Sequence, residues 1–332
     1  MGKLFNLFSG DSNQKSGPTK QQVERDKNMG LVFFFKLLKN RIGNITVTSI
    51  VFSITNFPMF LFLLGISGNL DSTVPAPSSP LYAQVYGLQM AGAKGPLIAS
   101  LQALFGNSSP LQVYSTASNI LRYCGLLLLL TLGISMIGLV FNQREVVRCQ
   151  PLSPFVEFFT AIKKNLKQGL IISILDGLFI VFLYYDVVIY YANMKTGSFF
   201  MQMAFYLIII VCVLYYLFRF YLFTILVTFD MKFRTMLKNS LYLLFLGWKR
   251  NLVCLIASAA SIFLFVYLYL LLPSVGILFP VIFGFGFLGY IGIYCTYPII
   301  QKYIIDPYYK EHPEEDPNTE VNQIESIFTD RG

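Results

Sequence analysis

Six long apolar stretches alternate with shorter polar segments along the chain. The stretches are 45–66, 120–141, 170–192, 199–227, 252–272 and 275–299. Each is long enough to cross a bilayer as a helix, for which about 20 mostly apolar residues are needed. The pattern therefore predicts an all-α membrane protein with six transmembrane helices in three hairpins.

A short basic, amphipathic segment precedes each predicted hairpin. The three segments are FFFKLLKNRIGN (33–44), FFTAIKKNLKQG (158–169) and FRTMLKNSLYLLFLGWKRN (233–251). Helices with lysines on one face and apolar side chains on the other lie in the plane of the lipid headgroups. We therefore expect amphipathic interfacial helices at these positions, on the cytoplasmic side.

Polar side chains of the second and third segments form a candidate contact surface for a partner or for lipid headgroups, which we call the basic face. Its residues are Lys163, Lys164, Asn165, Lys167, Gln168, Lys238, Asn239, Lys249 and Arg250. Anchoring by positive charge beside a span is the simplest account of any single lysine. Three similar segments on one side of the membrane favour a shared platform.

Lysine and arginine are unevenly divided between the two sides of the predicted bundle. Residues 1–44, 142–169, 228–251 and the tail after 300 hold most of them. The connections on the opposite side hold only Lys94 and Lys195. Because cytoplasmic connections carry the excess of positive charge, both termini are predicted to be cytoplasmic.

The predicted domain organisation follows from these spans. A cytoplasmic N-terminal segment (1–29) precedes a six-span membrane domain (30–300), and an acidic cytoplasmic tail (301–332) follows it. The membrane domain contains one large extracytoplasmic insertion (67–119), bounded by turns rich in Pro and Ser. Within it, LYAQVYGLQMAG and PLIASLQALFG are typical of short helices. The insertion is either an ordered cap over the bundle or a loop that grazes the membrane.

Composition agrees with a membrane location. Hydrophobic residues make up 55% of the chain and charged residues 13%, against about 25% charged residues in soluble domains. The net charge of +8 lies beside apolar spans, which favours anionic lipid headgroups over nucleic acid as the partner. The 5 cysteines show no CxxC spacing, so neither a zinc site nor a disulfide framework is expected.

Two charged residues, Asp176 and Arg219, fall inside neighbouring spans at nearly equal predicted depth. Charged side chains inside a bilayer are costly, by about 3 kcal/mol each on insertion scales. They are therefore expected to pair across the hairpin. One interpretation is a structural brace that orients the two helices, and the alternative is a polar gate or relay facing a central cavity.

Asp186 lies in FLYYDVVIYY, nearer the outer surface, with no evident charged partner in the facing helix. We expect it to be hydrogen-bonded among the neighbouring tyrosines, Tyr184, Tyr185, Tyr190 and Tyr191. The alternative is that Asp186 is a substrate-binding acid at a polar outer site.

Glycines are concentrated in the last span. The string from Gly284 to Gly289 has the form G-x-G-x-x-G, but it lacks the strand and helix that flank a dinucleotide site. Gly286, Gly289 and Gly292 instead predict a smooth ridge for close helix packing. The expected counterpart is a small-residue face on the preceding span, formed by Ala257 and Ser261.

No catalytic, cofactor-binding or metal site is expected, and the chain is not predicted to be an enzyme. The sole histidine, His312, lies in the acidic tail, away from any nucleophile in the spans. No Walker A string is present, so the chain is not expected to hydrolyse ATP itself.

Several segments resemble the YesL-like family, bacterial integral membrane proteins whose domain has no settled function. The opening MGKLFN and the first span up to NFPMFLFLLGIS are similar to the family pattern. FFTAIKKNLKQGLI resembles its Phe-rich, Lys-Asn stretch, and YLFTILVTFDMKFRTMLKNSLYLL resembles its Leu-Lys-Asn helix. The resemblance covers most of 30–66 and 140–270. The insertion and the acidic tail lie outside the pattern, and Thr228-Phe229 stands where the family has Arg-Phe.

The resemblance implies a protein of the bacterial, Gram-positive cytoplasmic membrane, often encoded near carbohydrate ABC-transport and polysaccharide-utilisation functions. It implies no catalytic or binding residues. We therefore expect a non-enzymatic accessory or regulatory protein of a carbohydrate ABC uptake system, acting through the basic face. The expected partners are anionic headgroups and either ABC-transporter subunits or another membrane protein. The alternative is a small secondary transporter or channel, with its polar path at Asp176, Arg219 and Asp186.

Overall fold

The computed structural model describes residues 29–194 and 199–311. The chain divides into two compact units. One comprises 57–128, and the other, which we call the core unit, comprises the described residues on either side of it. Lys195, His312, the rest of the predicted tail beyond it and nearly all of the predicted N-terminal segment lie outside the described residues.

Helices make up most of the described chain. Its first half contains α1 (Leu31–Thr55), α2 (Phe57–Ile66), β1 (Ser72–Pro77), α3 (Tyr82–Met90), α4 (Pro96–Phe105), β2 (Ser108–Val113), α5 (Thr116–Cys124) and α6 (Leu128–Val147). Its second half contains α7 (Pro154–Lys164), α8 (Leu166–Asn193), α9 (Phe199–Thr228), α10 (Phe233–Leu246), α11 (Trp248–Leu271), α12 (Pro273–Phe279), α13 (Phe285–Ile300) and α14 (Asp306–Glu311). Two π-helical turns, Pro280–Gly284 and Gln301–Ile305, flank α13.

Five helical stretches among the described residues are long and apolar enough to cross a membrane. They are Thr116–Val147, Leu166–Asn193, Phe199–Thr228, Trp248–Leu271 and Pro280–Tyr308. A sixth span results if α1 and α2, which are separated at Asn56, are counted together. The all-α membrane fold predicted from the sequence is confirmed. The break after α1 is explained by Pro58, which has no N–H to donate to the preceding turn.

Each of the three basic segments forms a short helical piece that ends at a break and continues into a long apolar helix. The residues at the breaks are Arg41 (φ −118°, ψ 15°), Asn165 (φ −105°, ψ 13°) and Gly247 (φ −85°, ψ 12°). All three have backbone angles near the sparsely populated bridge region. Phe158 of α7 and Met236 of α10 are fully buried, so both short helices are fixed to the core by their apolar side.

Helix α6 extends beyond the predicted end of the second span. We expected residues from 142 onward to belong to a cytoplasmic connection, but the helix continues to Val147, and its last two turns are buried. The chain leaves the helix at Cys149, which has a left-handed backbone conformation (φ 58°). The carbonyl of Cys149 accepts a hydrogen bond from the Arg41 guanidinium at 3.3 Å. The prediction that the connection begins at 142 was wrong, because Asn142, Arg144 and Glu145 have partners inside the core unit that allow the helix to stay buried to Val147.

Helix α13 lies in the middle of the core unit and packs against α1, α9 and α11. Its glycines do not form a single ridge against Ala257 and Ser261. A side chain at Gly286 would meet α1, one at Gly289 would meet Leu139 of α6, and one at Gly292 would meet α9. Residues three apart on an α-helix point in directions that differ by about 60°, so the three glycines face different neighbours.

The unit 57–128 contains the two predicted short helices, now α3 and α4, and a two-stranded antiparallel sheet that was not expected. In the sheet Ser72 pairs with Val113, and Pro75 lies opposite Pro110. Asp71 precedes the first strand and pairs with Arg122 of α5 at 3.3 Å. The Arg122 Nε also donates to the Gly65 carbonyl at 2.9 Å. These contacts order the insertion internally.

Candidate functional site

Asp176 and Arg219 form a bidentate ion pair between α8 and α9. The Arg219 Nε donates to Asp176 Oδ1, and Nη2 donates to Oδ2, each at 2.8 Å. The Tyr215 hydroxyl donates to the same Oδ1 at 2.6 Å. The Asp176 side chain is 1% exposed and that of Arg219 is 17% exposed. The carboxylate thus accepts three hydrogen bonds, which is the arrangement that stabilises a buried charge.

The position of each residue along its helix explains why the two side chains meet. Asp176 lies about three turns into α8, and Arg219 lies about as far from the end of α9, so an antiparallel hairpin brings them together. Gly177, the next residue, lets the backbone of α6 approach closely, because a side chain there would meet Leu129. Helix α8 is therefore held between α9, through Asp176, and α6, through Gly177.

Asp186 is separate from this pair. It is half-buried on α8, and among the described residues it forms no hydrogen bond, either with the neighbouring tyrosines or with Arg219. Tyr184 and Tyr185 pack edge to face with each other, and both are more than half exposed. The structure therefore does not join Asp186 to Asp176 in one site.

The lysines of the basic face are exposed, whereas its amides make local hydrogen bonds. Lys163, Lys164, Lys167, Lys238 and Lys249 are all exposed, and Arg250 is half-buried. The Gln168 amide donates to the Met231 carbonyl at 3.0 Å. The Asn165 amide donates to the Ala161 carbonyl at 2.9 Å. Asn165 thus closes the last turn of α7 at its break, and the exposed ammonium groups lie on the surface.

Glu157, on the first turn of α7, has a raised pKa. Its ordinary value is 4.5, and burial is the main cause of the increase, with a smaller contribution from the charge of Glu145. A hydrogen bond from the Ser153 backbone N–H and the charge of Lys164 act in the opposite direction. Glu157 therefore holds its proton to a higher pH than an exposed carboxylate.

A second buried charged group was missed by sequence reasoning. Arg144 and Glu145 are adjacent on α6, less than a tenth exposed, and in contact at 2.7 Å. The Arg144 Nη1 also donates to the Val227 carbonyl at 2.8 Å and to Thr228 Oγ1 at 3.0 Å. A cation in this position stabilises the carbonyl end of α9.

The polar group extends along α6 to its neighbours. The Asn142 amide donates to Thr48 Oγ1 at 3.2 Å and to the Pro154 carbonyl at 2.7 Å. Gln143 is fully buried, and neither of its amide atoms has a partner among the described residues. The signal available in the sequence is Val146-Val147, which continues the apolar period of the helix past its polar residues.

The described residues contain no group of three or more His, Cys, Asp or Glu side chains that could hold a metal ion. No protein-family model, no curated protein and no solved structure matches this chain. The resemblance to the YesL-like family therefore stays a prediction that depends on the quoted segments.

Proposed function

We propose that this chain is a non-enzymatic accessory or regulatory protein of the bacterial cytoplasmic membrane that acts through its basic face. The observation that carries the proposal is the mounting of exposed lysines on short helices that are fixed to the core. Phe158 and Met236 are buried beneath α7 and α10, while Lys163, Lys164 and Lys238 are exposed. A rigid platform of this kind suits the recognition of an acidic surface, because its charges are already in position.

The proposed partner is a subunit of a carbohydrate ABC uptake system, which is the association that the YesL-like resemblance implies. An acidic cytoplasmic surface on such a subunit would complement the lysines. The proposed orientation, with both termini in the cytoplasm, brings the basic face to that side.

The alternative, a small transporter or channel, needs Asp176 and Arg219 to face a polar path. Their geometry supports a brace better. The Asp176 carboxylate is 1% exposed and is held by two side chains of the neighbouring helix. A charge that is already paired inside the protein is poorly placed to bind a passing substrate or ion.

Co-purification tests the proposal. The full-length protein, carrying an affinity tag, is cross-linked in its native membrane and purified with its partners. The variant K163Q/K164Q/K167Q removes three exposed charges, and K163R/K164R/K167R is the matched control that keeps them. We expect the parent and the arginine variant to retain an ABC-transporter subunit and the glutamine variant to lose it. Retention by the glutamine variant, or a parent that carries no such subunit, would contradict the proposal.

A further inference from the structure

A groove of 460 Å³ lies between α10 and the last helical turns of the described chain. One wall consists of Asn239, Tyr242 and Leu246 of α10. The other wall includes Tyr303, Ile304 and Pro307. The groove is open at the surface, since Tyr242 and Leu246 are each more than half exposed. Most of the lining is aromatic or aliphatic, so the groove is suited to a ligand with an apolar part.

One lysine stands beside each wall. The Lys238 Nζ lies 5.7 Å from the ring centroid of Tyr242, and the Lys302 Nζ lies 5.3 Å from that of Tyr303. Both distances are within the range of a cation–π interaction, which holds each ammonium group close to a ring that lines the groove. Arg234, one turn before Lys238, is also exposed. The acid nearest in sequence to these rings, Asp306, is exposed at the start of α14 and does not line the groove.

The backbone at the second wall is unusual. Gln301–Ile305 is a π-helical turn, and turns of this kind occur frequently at functional sites. It carries both Lys302 and Tyr303. The wall is thus formed where the last span departs from regular helix.

An apolar cleft with a cation beside each wall matches an anionic amphiphile. A free anion would contact the lysines but would leave the cleft unfilled. A lipid with a zwitterionic headgroup would fill the cleft but would place its own cation near the two lysines. Only a negatively charged headgroup joined to an acyl chain satisfies both parts, and each lysine near a membrane surface contributes attraction for it.

We propose that this groove binds one anionic phospholipid, with its headgroup phosphate between Lys238 and Lys302 and an acyl chain against Tyr242, Leu246 and Ile304. The inference deepens the proposed function, since Lys238 and Asn239 belong to the basic face. It gives that part of the face a definite ligand. It does not depend on the identity of the protein partner.

Native mass spectrometry of the full-length protein in a mild detergent tests this site. The protein is mixed with phosphatidylglycerol or with phosphatidylcholine of the same chain length, and the retained lipid is counted. We expect the parent to retain one phosphatidylglycerol in preference to phosphatidylcholine. K238Q/K302Q should weaken that retention by about 10- to 30-fold, whereas K238R/K302R should preserve it. The matched control K39Q/K94Q removes the same charge from exposed positions outside the groove and should behave as the parent.

Equal losses in K238Q/K302Q and K39Q/K94Q would overturn the proposal, because they would indicate general attraction to the positive surface. Equal retention of phosphatidylcholine by the parent would also overturn it. Competition by glycerol 3-phosphate as strong as that by phosphatidylglycerol would show that the acyl chain contributes nothing. If K238Q/K302Q loses the lipid but still co-purifies with the ABC-transporter subunit, the result concerns the lipid site alone and not the proposed function.

Discussion

Asp176 shows how a charged side chain is stabilised inside a membrane span. Its charge is neutralised by Arg219 and further stabilised by the Tyr215 hydroxyl. A buried pair contributes little net stability, but the loss of one member leaves the other uncompensated, which costs about 3–5 kcal/mol. The two residues are therefore important mainly as a pair.

Asp176→Asn should lower the free energy of unfolding by about 3 kcal/mol, because Arg219 would then be buried without a counter-charge. Asp186→Asn on the same helix is the control and should not lower it, because Asp186 has no described hydrogen bond to lose and a neutral amide costs less in an apolar span than a carboxylate. Denaturant titration of the purified protein in mixed micelles measures both. Equal stability of Asp176→Asn and the parent would show that the pair is not a brace.

The raised pKa of Glu157 predicts that the stability of the folded protein depends on pH. A carboxyl group with a raised pKa binds protons more tightly in the folded state than in the unfolded state. Its contribution is therefore most favourable at low pH, and it is lost as the pH rises from 4.5 through the raised folded value. Above that window the half-buried carboxylate lowers the stability of the folded state.

Glu157→Gln removes this titration. The difference in unfolding free energy between Glu157→Gln and the parent should move in favour of the variant as the pH rises above 4.5. Unfolding of the two proteins, followed by circular dichroism between pH 4 and pH 8, provides the comparison. A difference that stays constant over this range would refute the predicted burial effect.

At this scale the sequence predicts the pair at Asp176 but not the one at Arg144. Charges in the middle of a span are conspicuous because every neighbour is apolar, and their depth can be counted along the helix. Arg144 and Glu145 follow two polar residues, Asn142 and Gln143, at the end of an apolar run, where a polar connection is the ordinary expectation. Their burial depends on the Val227 carbonyl of a distant helix, which local pattern does not reveal.

Helix α13 packs closely against its neighbours at its glycines. A methyl group at Gly286 would overlap the Ile45 carbonyl oxygen of α1, and backbone cannot move aside as a flexible side chain can. At Gly289 the nearest atom is instead the end of the Leu139 side chain. The two glycines are alike in sequence pattern but differ in what surrounds them.

Gly286→Ala should destabilise the protein by about 1–3 kcal/mol, the usual cost of overpacking. Gly289→Ala should cost less, since Leu139 can change rotamer. Gly43→Ala in α1 is the control, because nothing lies within 4 Å of the added carbon. It should stabilise by about 0.5–1 kcal/mol through helix propensity. Thermal unfolding in detergent ranks the three variants, and a Gly286→Ala protein as stable as Gly43→Ala would contradict the packing described for α13.

The positions of the helices are largely predictable from apolar length, but their neighbours are not. Asn165 is an example of a break that pattern alone leaves inside one amphipathic segment. Strands β1 and β2 were missed because prolines face each other at Pro75 and Pro110, and proline is depleted in strands. Their pairing joins residues 31 to 41 positions apart, from Pro77 with Ser108 to Ser72 with Val113, beyond the reach of any local periodicity.

For the whole molecule the distribution of lysine and arginine predicts an orientation. We expect a reporter that fluoresces only in the cytoplasm to be active when it is fused after Gly332. A reporter that works only outside the cytoplasm should be active when it is inserted at Gly92. Gly92 is suitable because it lies in an exposed turn after α3. The same reporters exchanged between the two positions serve as controls. Activity in the exchanged arrangement would reverse the predicted orientation.

The central place of α13 has a consequence for biogenesis. Translation proceeds from the N-terminus, so α1, α6 and α9 leave the ribosome before the helix whose glycines they contact. The contacts of Gly286, Gly289 and Gly292 therefore cannot form until α13 itself emerges. Until then the surfaces of α1, α6 and α9 that contact α13 have no packing partner. Nascent or truncated chains that lack α13 are accordingly expected to be recognised by membrane proteases rather than to persist as partly folded bundles.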